Sequence, residues 1–552
     1  MTITNQTMNL SECRSAWTYD ETYGCWCLEN LLYTEKATNP QFQQLSVFVP
    51  SVYLSEAGAL NTDGVCGRYT VSTAPIVFEN NAAGYMQMPH TWLGGPRNYA
   101  PRYLERGFIY VTCGCRGRES RNTNGNASGK APATLVDFKT AIRFLRHNRA
   151  VLPGNWDLII SVGWSAGGAM SSLLGLTGDH PDFETALREN GAFMDESDAV
   201  FASQIYCPIV DLEHADMAYE WCFHADPECE DSPAGPAETM TSFQKALSAQ
   251  LLQDYVAYVN TLGLRHPGTG EALSLNEDGR SGSFYDFLMC QLEQSASVYL
   301  SRLEAGLQPE AWSVNDYLTG NYTLKKPAKR GGNAASHHAG PELDLPDAPK
   351  KTFGELLCRP PEGTPFVSME PPMEDCTGTD KRAWLSFKNE QASITSLDDY
   401  VLNHRRRMKP CTSFDKLTMD SGENQEFGTA EQDYIHFSPS VREALTALRD
   451  KWPEEIAALL PGFGALNDPL LTERVRKINP MNYIGDPRGK AARHFRIRVG
   501  SCDADTSFSI AMVLALKLMN HGFDTDYAMV WDLPHCKADY PGEDTSWIES
   551  IT

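Results

Sequence analysis

At 552 residues the chain is too long for one ordinary domain and can bury a large core, so a main domain with a sizeable addition is expected. A net charge of -24 disfavours nucleic acid or an anionic membrane as a partner, since either would require a positive field. No run of about 18 apolar residues offers a membrane-crossing helix.

The first residues, Met1–Thr7, have neither a basic region nor an apolar stretch of the kind that starts a secretory signal. The 15 cysteines, an odd count, are therefore expected as reduced thiols of a cytoplasmic protein, with secretion not excluded. Cys25 and Cys27, and again Cys113 and Cys115, stand as Cys-x-Cys without a matching His/Cys pair at zinc-finger spacing. No metal site and no cofactor are expected.

Residues 1–45 are polar with scattered aromatics and are expected on the edge of the main domain. Val47–Leu54 and Ala74–Phe78 are rich in Val, Ile, Tyr and Phe and predict strands. Asn81, Ala82, Ala83, Gly84 and Tyr85 belong to the loop that follows the second. Gly107–Thr112 predicts another strand, leading into a Gly- and charge-rich loop, Gly114–Glu119, whose arginines are expected to pair within it. Leu135, Phe138, Ile142 and Leu145 recur at helical steps, and Pro153-Gly154-Asn155 breaks the chain after them.

The centre of the chain is Leu158–Met170. A β-rich apolar run feeds Gly163-Trp164-Ser165-Ala166-Gly167, and a small-residue segment able to start a helix follows. This is the strand, turn and helix that a nucleophile elbow needs, with glycines letting the backbone fold sharply so that the serine hydroxyl stands proud. Ser165 is the candidate nucleophile. Acyl transfer also needs backbone N–H donors for the oxyanion, one from the residue after the nucleophile and one from an early loop. Ala166 supplies the first; Ala83 or Gly84 is expected to supply the second.

Val200–Tyr206 predicts a further strand. Beyond Asp211 the strand-helix alternation stops, and helical stripes at Gln244–Val259 and Ser283–Ala305 are joined by irregular stretches, including a Lys/Gly/Ala/Pro-rich segment, Lys325–Lys351, expected as an exposed loop. Sheet periodicity returns at His494–Gly500. An insertion between sheet strands lies over their carboxyl ends, where open α/β sheets bind ligands, so residues 209–480 are expected to form a lid on a catalytic domain of 1–208 and 481–552.

After the 494–500 strand come Asp503 and Asp505, then a helix over Phe508–Asn520 and a final strand over Thr525–Trp531, followed by His535. Serine, acid and histidine in that order, the last two each after a strand, is the order of an α/β-hydrolase. His90 and His214 lie in early segments and His337-His338 in the loop-like stretch, so His535 is the candidate base. Between Asp503 and Asp505 the residues alone do not choose.

Several of these stretches together resemble the bacterial tannases of the α/β-hydrolase class: Arg116-Gly117-Arg118, Pro132–Lys139, Leu152-Pro153-Gly154 and the Ser165 elbow. The resemblance covers about residues 65–220 and 490–540, plus one lid segment. It implies the triad Ser165, Asp503, His535. It further implies that Lys409, in Met408-Lys409-Pro410, and Glu423 hold the galloyl hydroxyls together with Asp505. Two carboxylates can accept from adjacent phenolic hydroxyls while an ammonium donates to a phenolic oxygen. The implied activity is hydrolysis of galloyl esters and depsides of tannins, and of simple gallate esters, to gallic acid through an acyl-enzyme; a feruloyl or broad-specificity carboxylesterase of the same fold is the alternative. The early loop departs from the family, with Ala82 and Ala83 where glycine is usual. Partners are thus expected to be small galloyl esters, with no nucleic acid and no membrane, and the oligomeric state is not given by the sequence.

Overall fold

In the computed structural model, which describes residues 8–10, 16–95, 97–230, 237–308, 312–327, 353–359, 373–377 and 382–552, the elbow strand lies inside one nine-stranded sheet. Its strands are β1 (Thr18–Asp20), β2 (Cys25–Leu32), β3 (Gln44–Pro50), β4 (Ile76–Asn80), β5 (Ile109–Cys113), β6 (Ile159–Trp164), β7 (Ala202–Tyr206), β8 (His494–Gly500) and β9 (Asp524–Val530). In space they run β1-β2-β3-β5-β4-β6-β7-β8-β9. β5, β4, β6, β7, β8 and β9 are mutually parallel, and β1 to β3 extend one edge antiparallel.

Burial explains the composition of these strands. Every residue of β4, β5, β7 and β8 is buried, as a parallel sheet covered on both faces requires. Helix α1 (Ala133–His147) buries Leu135, Phe138, Ile142 and Leu145, the stripe read from the sequence. Helix α2 (Ala166–Leu176) is buried along its whole length and packs on β6 and β7. This is an α/β-hydrolase core.

The expected amino-terminal edge is now specific: β1 and β2 form a hairpin that β3 joins to the sheet. Strand boundaries coincide with those read off the sequence at His494–Gly500 and elsewhere shift by up to four residues. The stretch after Pro50 turns into a short 3-10 segment, Ser51–Tyr53, because Pro50 ends the ladder.

The insert between β7 and β8 is built on helices α3 (Leu212–Phe223), α4 (Ser242–Thr261) and α5 (Ser283–Glu304), and it also carries two-stranded ribbons that the sequence pattern did not announce. Thr241 and Gln244 cap α4 reciprocally. Most of the Lys/Gly/Ala/Pro-rich segment 325–351, with His337-His338, lies outside the described residues. Among the described residues no helix is long and apolar enough to cross a membrane.

The two ends of the insert meet. Asp211, in the left-handed region at φ 52°, accepts from Asn479 Nδ2 at 2.8 Å, from Tyr258 OH at 2.6 Å and pairs with His214 at 2.7 Å. Farther in, Arg407 forms a bidentate pair with Glu220 of α3, at 2.6 and 2.9 Å, with neither side chain exposed. Helix α6 (Leu397–Asn403) and its tail reach the core, where Tyr400 OH donates to Ser501 O at 2.7 Å.

Candidate active site

Ser165 caps α2 at φ 61°, ψ −128°, a strained backbone that the surroundings hold in place. Its N–H donates to Tyr206 O at 3.1 Å and its carbonyl accepts from Ile209 N at 3.2 Å, so the turn is fixed to the end of β7. The glycines are required by contact. A Cβ on Gly163 would lie 2.3 Å from Gly167 O, and one on Gly167 would lie 2.9 Å from Asn80 Oδ1 and 3.1 Å from Ala82 O. The early loop therefore presses against the elbow. Arg118 Nε donates to Gly84 O at 2.9 Å, and Tyr85 OH donates to Ile209 O at 2.8 Å, anchoring the loop whose Ala82 carbonyl lies against Gly167 in the first turn of α2.

Asp503 and His535 are brought together. His535 Nδ1 lies 2.8 Å from Asp503 Oδ2, a carboxylate with no exposed side-chain surface. Burial works against a charged imidazole here, but the carboxylates of Asp503 and Asp505 outweigh it and hold the ring well above the ordinary histidine range. Their loops also touch directly: Cys502 N donates to Leu533 O at 3.0 Å, and a Cβ on Gly500 would lie 2.2 Å from Leu533 O. Cys207 follows Tyr206, whose carbonyl accepts from the Ser165 N–H, and it lies against the base. Its sulfur is in hydrogen-bond contact with His535 and accepts from Gly500 N at 3.4 Å, and burial pushes the thiol up.

The other three expected residues come from three separate segments. Lys409 Nζ donates to the backbone oxygen of Asp505 at 2.7 Å, lies 3.7 Å from its carboxylate and sits 4.7 Å from the centre of the Phe414 ring. Tyr219 of α3 bridges the two sides, donating to Ala504 O at 3.0 Å while accepting from Met408 N and Lys409 N, both at 3.2 Å. Glu423 is buried on helix α7 (Gly422–Glu426). That helix is held by Asp415, whose Oδ1 accepts from Asn424 Nδ2 at 2.7 Å and meets His436 Nδ1 at 2.6 Å. Asp216 in turn accepts from the N–H groups of Ser413, Phe414 and Asp415 at 2.6 to 2.9 Å; burial nevertheless raises its carboxyl to about 7. Glu426, one turn from Glu423, is pushed well above the carboxylate range by burial, even with Lys130 and Arg118 near.

Among the described residues two trios could offer ligands to a metal: Cys207, Asp503 and His535, and His404, Cys502 and Asp532. In the first, His535 Nδ1 and Asp503 Oδ2 are engaged with each other. The competing histidines serve elsewhere: His90 bonds Ser46 inside the core and His214 pairs with Asp211.

One expectation is corrected. The expected pairing within the 114–119 loop fails for Arg116, which pairs with a residue outside it. Arg116 bonds Asp137 of α1 at 2.7 Å, and Arg118 reaches Gln425 of the insert at 2.7 Å, because both guanidinium groups are buried and must find partners that are buried too. Sequence reasoning also passed over Cys207, Tyr219, Asp216 and Asp415. Each acts through contacts between distant segments, which leave no pattern in the local sequence.

A family model described as BD-FAE matches residues 97–229, the stretch that contains the elbow. Among solved structures, tannin acyl hydrolase from Lactobacillus plantarum is 30% identical, with a TM-score of 0.72, over 96% of this chain and 94% of that one. The chain belongs to the tannase family. A structure of tannin acyl hydrolase in complex with ethyl gallate matches at 29% identity and a TM-score of 0.72, covering 96% of this chain and 94% of that one. Fusobacterium nucleatum tannase matches at 27% and 0.70, covering 96% and 95%. No curated protein matches. As a member of the tannase family, with an α/β-hydrolase core, the chain is an ester hydrolase.

Proposed function

We propose that the chain hydrolyses galloyl ester and depside bonds of hydrolysable tannins, and simple gallate esters, through an acyl-enzyme on Ser165. His535 takes the proton of the Ser165 hydroxyl as it attacks the ester carbonyl, and Asp503 holds the ring with Nδ1 protonated and Nε2 free to accept. The tetrahedral oxyanion is received by the N–H of Ala166 and by that of Ala83 or Gly84. His535 then gives its proton to the departing alcohol. Water repeats the sequence on the galloyl-enzyme, releasing gallic acid.

The observation that carries the reading is the contact of Lys409 Nζ with Asp505, two residues from Asp503. It supports a ring clamp beside the acid-base pair, with Lys409 donating to a phenolic oxygen and Asp505 and Glu423 accepting from the hydroxyls. Residues 209–480 act as the lid that supplies the clamp. The ethyl gallate complex of a relative supports the same class of substrate.

Labelling with a fluorophosphonate, then turnover of methyl gallate against methyl ferulate, tests this. Labelling lost in Ser165→Ala and a strong preference for the gallate are expected. Equal turnover of both esters would instead assign a broad carboxylesterase, and no labelling at Ser165 would remove the serine mechanism.

A further inference from the structure

The turn that presents His535 is held from the other side by the insert. Asp532 stands between β9 and His535 at φ 60°, a conformation costly for aspartate, and three contacts hold it there. Its N–H donates to Ser501 Oγ at 3.0 Å, its Oδ2 accepts from Tyr317 OH at 2.6 Å, and its Oδ1 lies 2.8 Å from His404 Nε2. Tyr317 and His404 both belong to the insert. Tyr317 OH also accepts from Trp531 Nε1 at 2.7 Å, and the His404 ring stacks on Trp531 with centroids 5.5 Å apart and planes at 17°.

His404 is bonded at both nitrogens. Arg382 Nη1 lies 2.8 Å from Nδ1, and a guanidinium only donates, so Nδ1 carries the lone pair and the single ring proton sits on Nε2, facing Asp532. The carboxylate favours a second proton on this ring, but the guanidinium at Nδ1 blocks the position for it. Arg382 is itself fixed, stacked 4.1 Å from the centre of the Tyr317 ring. Cys502 Sγ is 3.1 Å from His404 Nε2 but 3.8 Å from Asp532 Oδ1, beside this chain of bonds rather than within it. A metal bound to Nε2 would need Nδ1 to carry the proton, which the guanidinium opposes, so the His404, Cys502 and Asp532 trio is organised for hydrogen bonding.

We propose that His404 is a positioning residue for the hydrolytic reaction: as a neutral bridge from Arg382 to Asp532, it lets the insert fix the turn that aims His535. This rests on the roles of Ser165, Asp503 and His535 proposed above. The same insert segment holds the acid loop through Tyr400 OH on Ser501 O, so both moving parts of the pair are set from one side.

The test compares His404→Phe, which keeps the stacked ring and removes both hydrogen bonds, with His404→Gln, whose carbonyl can accept from Arg382 while its amide donates to Asp532. For His404→Phe, kcat on methyl gallate should fall about 100-fold, the cost of a base misplaced by a fraction of an ångström to an ångström. KM should change less than about threefold, and phenyl acetate, which does not use the ring clamp, should lose kcat in parallel. His404→Gln should recover most of the loss. A folded His404→Phe with unchanged kcat, a change confined to KM, or a Gln variant as impaired as Phe with the same thermal midpoint as wild type would each overturn the proposal. Activity lost on dialysis against 1,10-phenanthroline and restored by zinc would overturn it in favour of a metal at the trio. If Ser165→Ala stays active, the hydrolytic reading itself fails; if Ser165→Ala is inactive while His404→Phe is normal, only the present inference does.

Discussion

Asn479 donates its side-chain amide to the carboxylate of Asp211 at 2.8 Å, so the residue that leaves the insert is bonded to the residue that enters it. The same amide reaches Glu213 at 2.8 Å. Both ends of the excursion between β7 and β8 are thereby closed at one point a few residues beyond the end of β7, a device that limits the loop-closure cost of the insertion.

Asn479→Leu should destabilise the fold by about 1 to 3 kcal/mol, because Asp211 is left with a buried oxygen short of a donor. Denaturant unfolding measures it. A shift below about 0.5 kcal/mol would show that His214 and Tyr258 suffice to hold Asp211.

Lys409→Ala and Glu423→Ala should each lower kcat/KM for methyl gallate by at least about 100-fold, since a pocket built for phenolic hydroxyls discriminates through the bonds it loses. Hydrolysis of phenyl acetate should stay within about threefold. Steady-state kinetics on the two esters separate the outcomes, and equal loss on both would mean that these residues support the fold instead.

Asp505→Asn should move the acid limb of the kcat/KM profile to lower pH. His535 must be neutral to accept the serine proton, so activity rises as pH climbs through its pKa, and the Asp505 carboxylate contributes to raising that pKa. Removing the charge lets the ring lose its proton sooner. A phenyl acetate profile reports the shift without the ring clamp, and a limb displaced upward would contradict it.

His90 accepts from Ser46 Oγ at 2.9 Å through Nδ1 and donates to Asn30 Oδ1 at 3.2 Å through Nε2, and burial pushes the ring down to about 4. The unfolded chain binds the proton first, near 6.5, so this contribution to stability is complete above that pH and is lost as pH falls toward 4. The stability gap between wild type and His90→Gln should shrink by about 3 kcal/mol over that window. Thermal midpoints at pH 7, 6, 5 and 4 give the trend; parallel curves would show that the ring takes up its proton at the same pH in the folded and unfolded chain.

The strand, turn and helix around Ser165 and the core of α1 were legible in the sequence because each depends on neighbours close in the chain: strand periodicity, a glycine-bracketed turn, a helical stripe. What binds the insert to the core was not. Arg407 with Glu220, Tyr219 with Ala504, and Arg382 through His404 to Asp532 join segments whose separation in sequence carries no signal. Local order was written in residue spacing; the choice of partner for each buried charge was made only when folding removed water and left one donor or acceptor within reach.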